Sequence, residues 1–272
     1  MINITNKSTS DFTDNYSVNL YSILLFEGES SFVVNDSPYH SSGQTILFLS
    51  PYQSFRWATD SQVPIRSVQF HGDFYCIEYH KKEVACNGLL FNNIYLTPFV
   101  NPTKQVWNEL LEITHKIESY FDDAPYSHAV VKTYLQLILA LSSSEKKRLC
   151  SECSSTSDPE TERFMELLDS SFRTQRQVAF YAHQLSISPN ALSKKIKKSI
   201  GKTPTQLIGE RVVLEAKKLL HLTYKPVKQI ADELGFDDEF HFSRYFKNSV
   251  GISPLHYRQE VGISVVAQIS IR

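Results

Sequence analysis

The period of the apolar residues changes near Pro102 in this chain of 272 residues, and no other feature restricts the fold as much. Before it, residues 18–26, 31–34, 45–49, 55–57 and 65–70 are short runs rich in β-branched and aromatic side chains. Turn signals part them: Glu27-Gly28, Asn35-Asp36-Ser37-Pro38, Ser42-Gly43, Ser50-Pro51 and His71-Gly72-Asp73. Short strands at this spacing predict a sandwich or barrel. After Pro102 the series Val106, Leu110, Ile113, Ile117, Phe121 and Val130, Tyr134, Leu137, Ile138, Leu141 recur at helical spacing. Residues 122–125 separate the two series, which predicts a helical hairpin.

Residues 149–158 (LCSECSSTSD) are Ser-rich, poor in apolar residues, and lie between helical patterns, as a linker would. The remaining third reads as seven helices with clear punctuation. They cover 159–172 and 178–185, then run from a Ser188 cap and Pro189 to Gly201, and from Thr203-Pro204 to about Leu222. The last three are 227–234 before Gly235, a helix capped by Asp237-Asp238 and ended by Gly251, and a short one opened by Ser253-Pro254. No short repeat of the solenoid type is present.

The net charge of −1 conceals an asymmetry. Residues 1–158 hold 11 Lys and Arg against 17 Asp and Glu, a balance of −6, whereas residues 159–272 hold 17 against 12, a balance of +5. Arg176, Lys194, Lys195, Lys197, Lys198 and Lys202 fall in an acid-free stretch, residues 176–203. Such contrast points to a nucleic-acid-binding module beside an acidic partner domain. No stretch approaches the ~18 consecutive apolar residues of a membrane span. The first fifteen residues lack the charged and apolar regions of a secretory signal, and four cysteines do not make a disulfide scaffold. The expectation is a cytoplasmic protein with no membrane partner.

One theme occurs twice in the basic half: a short helix, a tight turn, then a capped helix bearing cations. Ala182 and Leu185 face the first turn, and Leu192 with Ile196 form a stripe behind Lys194, Lys195 and Lys197. Ile230, Ala231 and Leu234 precede Gly235, after which Phe242 and Phe246 form the stripe and Arg244 and Lys247 lie outside. A helix-turn-helix needs this arrangement, because the stripe locks the pair while the outer face of the second helix enters the major groove. The helix between the copies, about residues 205–221, would be roughly 25 Å long. That suits two recognition helices set one DNA turn, about 34 Å, apart.

Residues 230–258, IADELGFDDEFHFSRYFKNSVGISPLHYR, closely resemble the AraC/XylS family of bacterial transcription regulators. Ile-Ala, Gly-Phe, a capping Asp, Phe-Ser-Arg, Phe-Lys, Gly, Ser-Pro and Tyr-Arg all fall at the family's offsets. LSISPNALSKKIKKSIGKTP, residues 185–204, matches the weaker first copy. The resemblance implies base contacts from Asn190, Ser193 and Lys194 in one recognition helix and from Glu239, Phe240, Ser243 and Arg244 in the other. It places Lys197 and Lys247 at phosphates. Lys194 and Ile196 stand where the family commonly has Arg and Phe, and a Lys cannot reproduce the bidentate Arg fork to guanine. Phe240 stands where Ser is frequent; it suits a thymine methyl or an inward plug.

Residues 28–57 resemble, less specifically, the family's cupin-like sensor barrel. The whole is then an α+β protein of two domains. A cupin-like β-barrel (about 15–100) and a helical hairpin (102–148) make up residues 1–148. A linker (149–158), an all-α domain with two helix-turn-helix units (159–260) and a tail (261–272) follow. By resemblance, Tyr21, Ile23, Phe32, Phe48, Phe55, Trp57 and Gln69 line the barrel around a small effector. The 103–143 helices form a homodimer, and double-stranded promoter DNA and RNA polymerase are the other partners. An effector-independent regulator with an empty barrel is the alternative. A metal-dependent cupin enzyme is a distant third, because the chain has no His-x-His pair and His40 stands alone on a turn. His71, Cys76, His80 and Cys86 are zinc-type ligands, but their spacings of five, four and six do not match a knuckle. The Cys150-x-x-Cys153 pair is single, and Gly201-Lys202-Thr203 lacks the earlier glycine of a phosphate loop. The reading therefore has no catalytic residue, metal or cofactor.

Overall fold

The computed structural model describes residues 2–12, 16–58, 62–75, 89–120, 127–153 and 158–263. These divide into two compact units: Met1–Asn93 with Thr97–Ser151, and Ile94–Leu96 with Glu152–Arg272.

The first unit holds strands β1 (Ile2–Ser8), β2 (Tyr21–Glu27), β3 (Ser30–Val34), β4 (Ser37–Ser41), β5 (Gln44–Leu49), β6 (Phe55–Trp57), β7 (Pro64–Phe70) and β8 (Phe99–Val100). They form an antiparallel five-stranded sheet, β1-β7-β2-β5-β8, and a three-stranded one, β4-β3-β6. Three of these strands are absent from the sequence reading, each for a local reason. In β1 only Ile2 and Ile4 are buried hydrophobics, and the other five residues are polar, although seven residues pair with β7. In β4 the segment read as a turn is a hairpin. Asn35 and Asp36 have φ of 47° and 62°, as a two-residue turn of the type I′ kind requires. Pro38 is tolerated because β4 is an edge strand. Strand β8 has only two residues.

Strict alternation along the five-stranded sheet gives it two apolar faces. Leu24, Phe26, Leu47, Leu49 and Ile65 face the small sheet and pack with Phe12, Phe32, Phe55 and Trp57. Ile23, Leu25, Ile46, Phe48, Val68 and Phe70 face the other way and pack on α1 (Lys104–Ser119) and α2 (Ser127–Cys153) through Leu110, Ile113, Ile117, Leu135 and Ile138. The break expected at 122–125 lies outside the described residues. Helix α2 continues through residues 149–153, where the sequence suggested linker. No Pro or Gly interrupts it there. Lys146, buried in α2, donates from Nζ to the carbonyls of Thr97 (2.6 Å) and Phe99 (2.7 Å), tying β8 to the helix.

The second unit contains α3 (Pro159–Ser171), α4 (Val178–Gln184), α5 (Pro189–Ile200), α6 (Pro204–Leu222), α7 (Val227–Glu233), α8 (Glu239–Val250) and α9 (Pro254–Val261). Helices α5 and α8 repeat at an offset of fifty residues. Ser188 and Asp238 cap them by accepting from the backbone N–H of Ala191 and His241, and Gly201 and Gly251 end them in the left-handed conformation. Leu192 and Ile196 correspond to Phe242 and Phe246, all wholly buried. Thr203-Pro204 and Ser253-Pro254 cap the helices that follow. The α4–α5 and α7–α8 turns each contain one left-handed residue, Ser186 (φ 57°) and Gly235 (φ 70°).

The two turn residues are not equivalent. A Cβ on Gly235 would lie 2.2 Å from the Arg173 carbonyl oxygen, so that turn is pressed against the end of α3. Gly235→Ala combines a left-handed penalty with this clash and should cost at least ~2 kcal/mol. Ser186→Gly should be neutral or slightly stabilising. Urea unfolding of both variants checks the contrast; equal losses would refute it.

Candidate nucleic-acid interface

On each second helix the buried stripe leaves the opposite face in solvent. Along α5, Asn190, Lys194, Lys197 and Lys198 are exposed; along α8, Phe240, Arg244, Lys247 and Asn248 are exposed. At the offset of fifty these pair as Asn190 with Phe240, Lys194 with Arg244, Lys197 with Lys247, and Lys198 with Asn248. Residues at i, i+4 and i+7 share one side of a helix, so each set forms a single ridge. Ser193, Glu239 and Ser243 are half-buried at the margin. Glu239 and Ser243 border a cleft of about 310 Å³ with Val227, Ser253, Leu255 and Arg258. The nine positions named from sequence thus sit on or beside the two ridges. Lys198 and Asn248 were not among them, and the fifty-residue offset is the signal that finds them.

The structure corrects the reading of the basic run. Arg176 is a packing residue: its guanidinium lies 3.6 Å from the centre of the Phe236 ring and donates to the Leu234 carbonyl at 2.5 Å. It therefore joins the start of the first helix-turn-helix to the turn of the second. Lys195 is ion-paired with Glu160 and Asp158 of the α3 start. Lys202 is buried, 2.7 Å from Glu210, and also donates to the carbonyl of Ile94. Of the six, Lys194, Lys197 and Lys198 have neither an ion pair nor a ring contact among the described residues. On α8 the acids of the first turn do not engage Arg244; Asp237 lies 3.8 Å from the His241 ring instead. Among the described residues neither Arg244 nor Lys247 has an ion-pair partner.

Cys76, His80 and Cys86 lie outside the described residues, and His71 is 3.2 Å from Asp73. Among the described residues no group of His, Cys, Asp and Glu is placed to hold a metal ion. No described helix is long and apolar enough to cross a membrane.

A family model described as a helix-turn-helix domain matches residues 181–260, which begin in α4 and end in α9. The chain is 33% identical over 92 residues to the arabinose operon regulatory protein of Escherichia coli (strain K12), covering 34% of this chain and 30% of that protein. It is 29% identical over 242 residues to the HTH-type transcriptional activator RhaS of Enterobacter sp. (strain 638), covering 87% and 84%. The chain carries an AraC-type helix-turn-helix domain over residues 181–260. It matches between 30% and 38% of the length of the first three such relatives. Among solved structures, the C-terminal domain of AraT from Geobacillus stearothermophilus is 30% identical, with 38% of this chain and 85% of that one covered at a TM-score of 0.36. Apo ToxT K231A from Vibrio cholerae strain SCE256 is 18% identical, with 96% and 97% covered at 0.42.

The AraC-type domain therefore has two classes of cation, and they should respond differently to removal. Arg176→Ala deletes a cation–π stack and a partly buried hydrogen bond and should lower stability by ~1–3 kcal/mol. Lys194→Ala, on the open ridge, should stay within ~0.5 kcal/mol of the parent. Thermal melts of the two variants give the comparison.

Proposed function

We propose that this chain is a sequence-specific DNA-binding regulator of transcription, an activator working in the cytoplasm, and not an enzyme. The observation that carries it is the pair of ridges, Asn190-Lys194-Lys197 and Phe240-Arg244-Lys247, repeated at one offset and without an ion-paired acid among the described residues. Helix α6 between the two helix-turn-helix motifs has 19 residues, about 28 Å at 1.5 Å per residue, which suits recognition of successive major grooves. Promoter DNA and RNA polymerase are the partners in this reading.

A second copy of the chain, packed through α1 and α2, also belongs to it. Most of the apolar residues of these two helices pack against the sheet. Leu110, Ile113 and Ile117 are buried, and Leu137, at 39%, is the exposed one. Light scattering on the full chain decides between one copy and two.

The control of this regulator turns on the space between the two sheets. The seven positions named as barrel lining divide between two faces. Phe32, Phe55, Trp57 and Gln69 point between the sheets, whereas Tyr21, Ile23 and Phe48 point toward the helices. Aromatic rings fill the inter-sheet middle, with Phe26–Trp57 at 5.0 Å and Phe32–Trp57 at 6.0 Å between centroids. This filling favours the second reading, a regulator that works without an effector. A polar effector is left the end where Gln69 reaches Tyr16 and Ser22 and the buried Ser67 hydroxyl has no partner among the described residues. Protein refolded free of small molecules should bind its selected duplex as tightly as native protein; a loss restored by small-molecule extract would favour effector control.

Arg and Lys on the α8 ridge should have separable roles. Arg suits the O6 and N7 acceptors of guanine, so Arg244→Ala should weaken a selected duplex ~5–140-fold and random DNA little. Lys247→Ala should weaken both alike and lower the salt slope by about one. Titrations on selected and scrambled duplexes measure this. Equal losses on both for Arg244→Ala would remove its base-reading role, and no enriched duplex at all would overturn the function.

A further inference from the structure

Phe240 is the most exposed large hydrophobic side chain among the described residues, at 84%. It stands in the first turn of α8, on the ridge that carries Arg244 and Lys247, and away from the buried Phe242 and Phe246. The neighbouring ring that could have covered it, Phe236, packs instead with His241, Phe242, Tyr245 and Arg176. The inward-plug reading of Phe240 is thereby excluded.

We propose that Phe240 recognises the 5-methyl group of a thymine in the major groove, within about two base pairs of the base that Arg244 addresses. The inference rests on the DNA-binding reading and adds the chemistry of one half-site. A phenyl ring offers neither donor nor acceptor, so it gains nothing at a phosphate or at a polar base edge. The thymine methyl is the apolar group that a base pair presents in the major groove. Phe240 and Arg244 are one helical turn apart, and their side chains are neighbours about 5–6 Å apart at Cβ. That span matches one to two base-pair steps of about 3.4 Å each. The equivalent position on α5 is Asn190, whose amide matches the N6 and N7 edge of adenine. The two half-sites therefore differ in chemistry, and the operator is not a direct repeat.

The test uses the full chain and a duplex selected by it from a random pool. Each thymine of that duplex is replaced singly by deoxyuridine, which removes only the methyl group. One such replacement, in the α8 half, should weaken wild-type binding about four-fold, the equivalent of burying one methyl. The same replacement should leave Phe240→Ala unchanged, while Phe240→Leu should keep part of the effect. Phe240→Asn, which installs the α5 chemistry, should shift selection from thymine toward adenine at that base pair. Melting curves of the three variants show whether they fold, and the exposed position should leave them unaltered. If no deoxyuridine substitution matters, or if wild type and Phe240→Ala lose equally, Phe240 does not read a methyl although the chain still binds DNA. A duplex that binds Phe240→Ala as tightly as wild type assigns the ring to a protein partner and overturns the proposal. If the chain enriches no duplex, the DNA-binding reading fails and takes this one with it.

Discussion

Leu192 and Ile196 on one helix, and Phe242 and Phe246 on another, are wholly buried, and this burial leaves the opposite faces of both helices in solvent. Each such side chain gains about 1.5–3 kcal/mol by leaving water, more than surface polar contacts on these short helices can supply. The stripe thus fixes the rotation of each helix about its axis. Once it is fixed, the residues two and six positions after each cap are presented outward whatever their chemistry. Asn190 and Lys194, Phe240 and Arg244 occupy those places.

The charge of the second unit is put to two uses. Arg176, Lys195 and Lys202 hold elements together: a stack on Phe236, a pair with the α3 start, and a buried pair with Glu210. Burial raises the Glu210 carboxyl while Lys202 opposes the rise, so the pair persists only because each charge has the other. Of the 17 Lys and Arg in residues 159–272, five are left on the ridges: Lys194, Lys197, Lys198, Arg244 and Lys247. Net charge measured the attraction available to the domain, and geometry decided how much of it faces outward.

The first unit shows the same economy of faces. One sheet buries apolar residues on both sides, against the small sheet and against α1 and α2. A strand reading treats such residues as one lining, but alternation sends neighbours to opposite sides. Tyr21 and Ile23 consequently never meet Phe32 and Trp57 across a shared cavity.

Local signals determined much of this protein from sequence alone. The period change near Pro102, the caps Ser188, Asp238 and Ser253, the glycines after α5 and α8, and the buried stripes all act within one or two turns of chain. They gave α3 to α9, whereas the nine outward or marginal positions came from the resemblance to the AraC/XylS family. Edge strands were not legible in the same way. In β1 only Ile2 and Ile4 are buried hydrophobics, and its pairing depends on β7, more than fifty residues away. Nor could sequence separate Lys195 from Lys194. The two are adjacent in the chain, but a helix turns about 100° between them, and only the position of Glu160 decides which one is neutralised. Phe240 was equally undecided between plug and reader until Phe236 was seen to occupy the space beneath the helix. Contacts within a helical turn are written in residue order; contacts across the fold depend on which distant groups arrive, and those the tertiary structure alone decided.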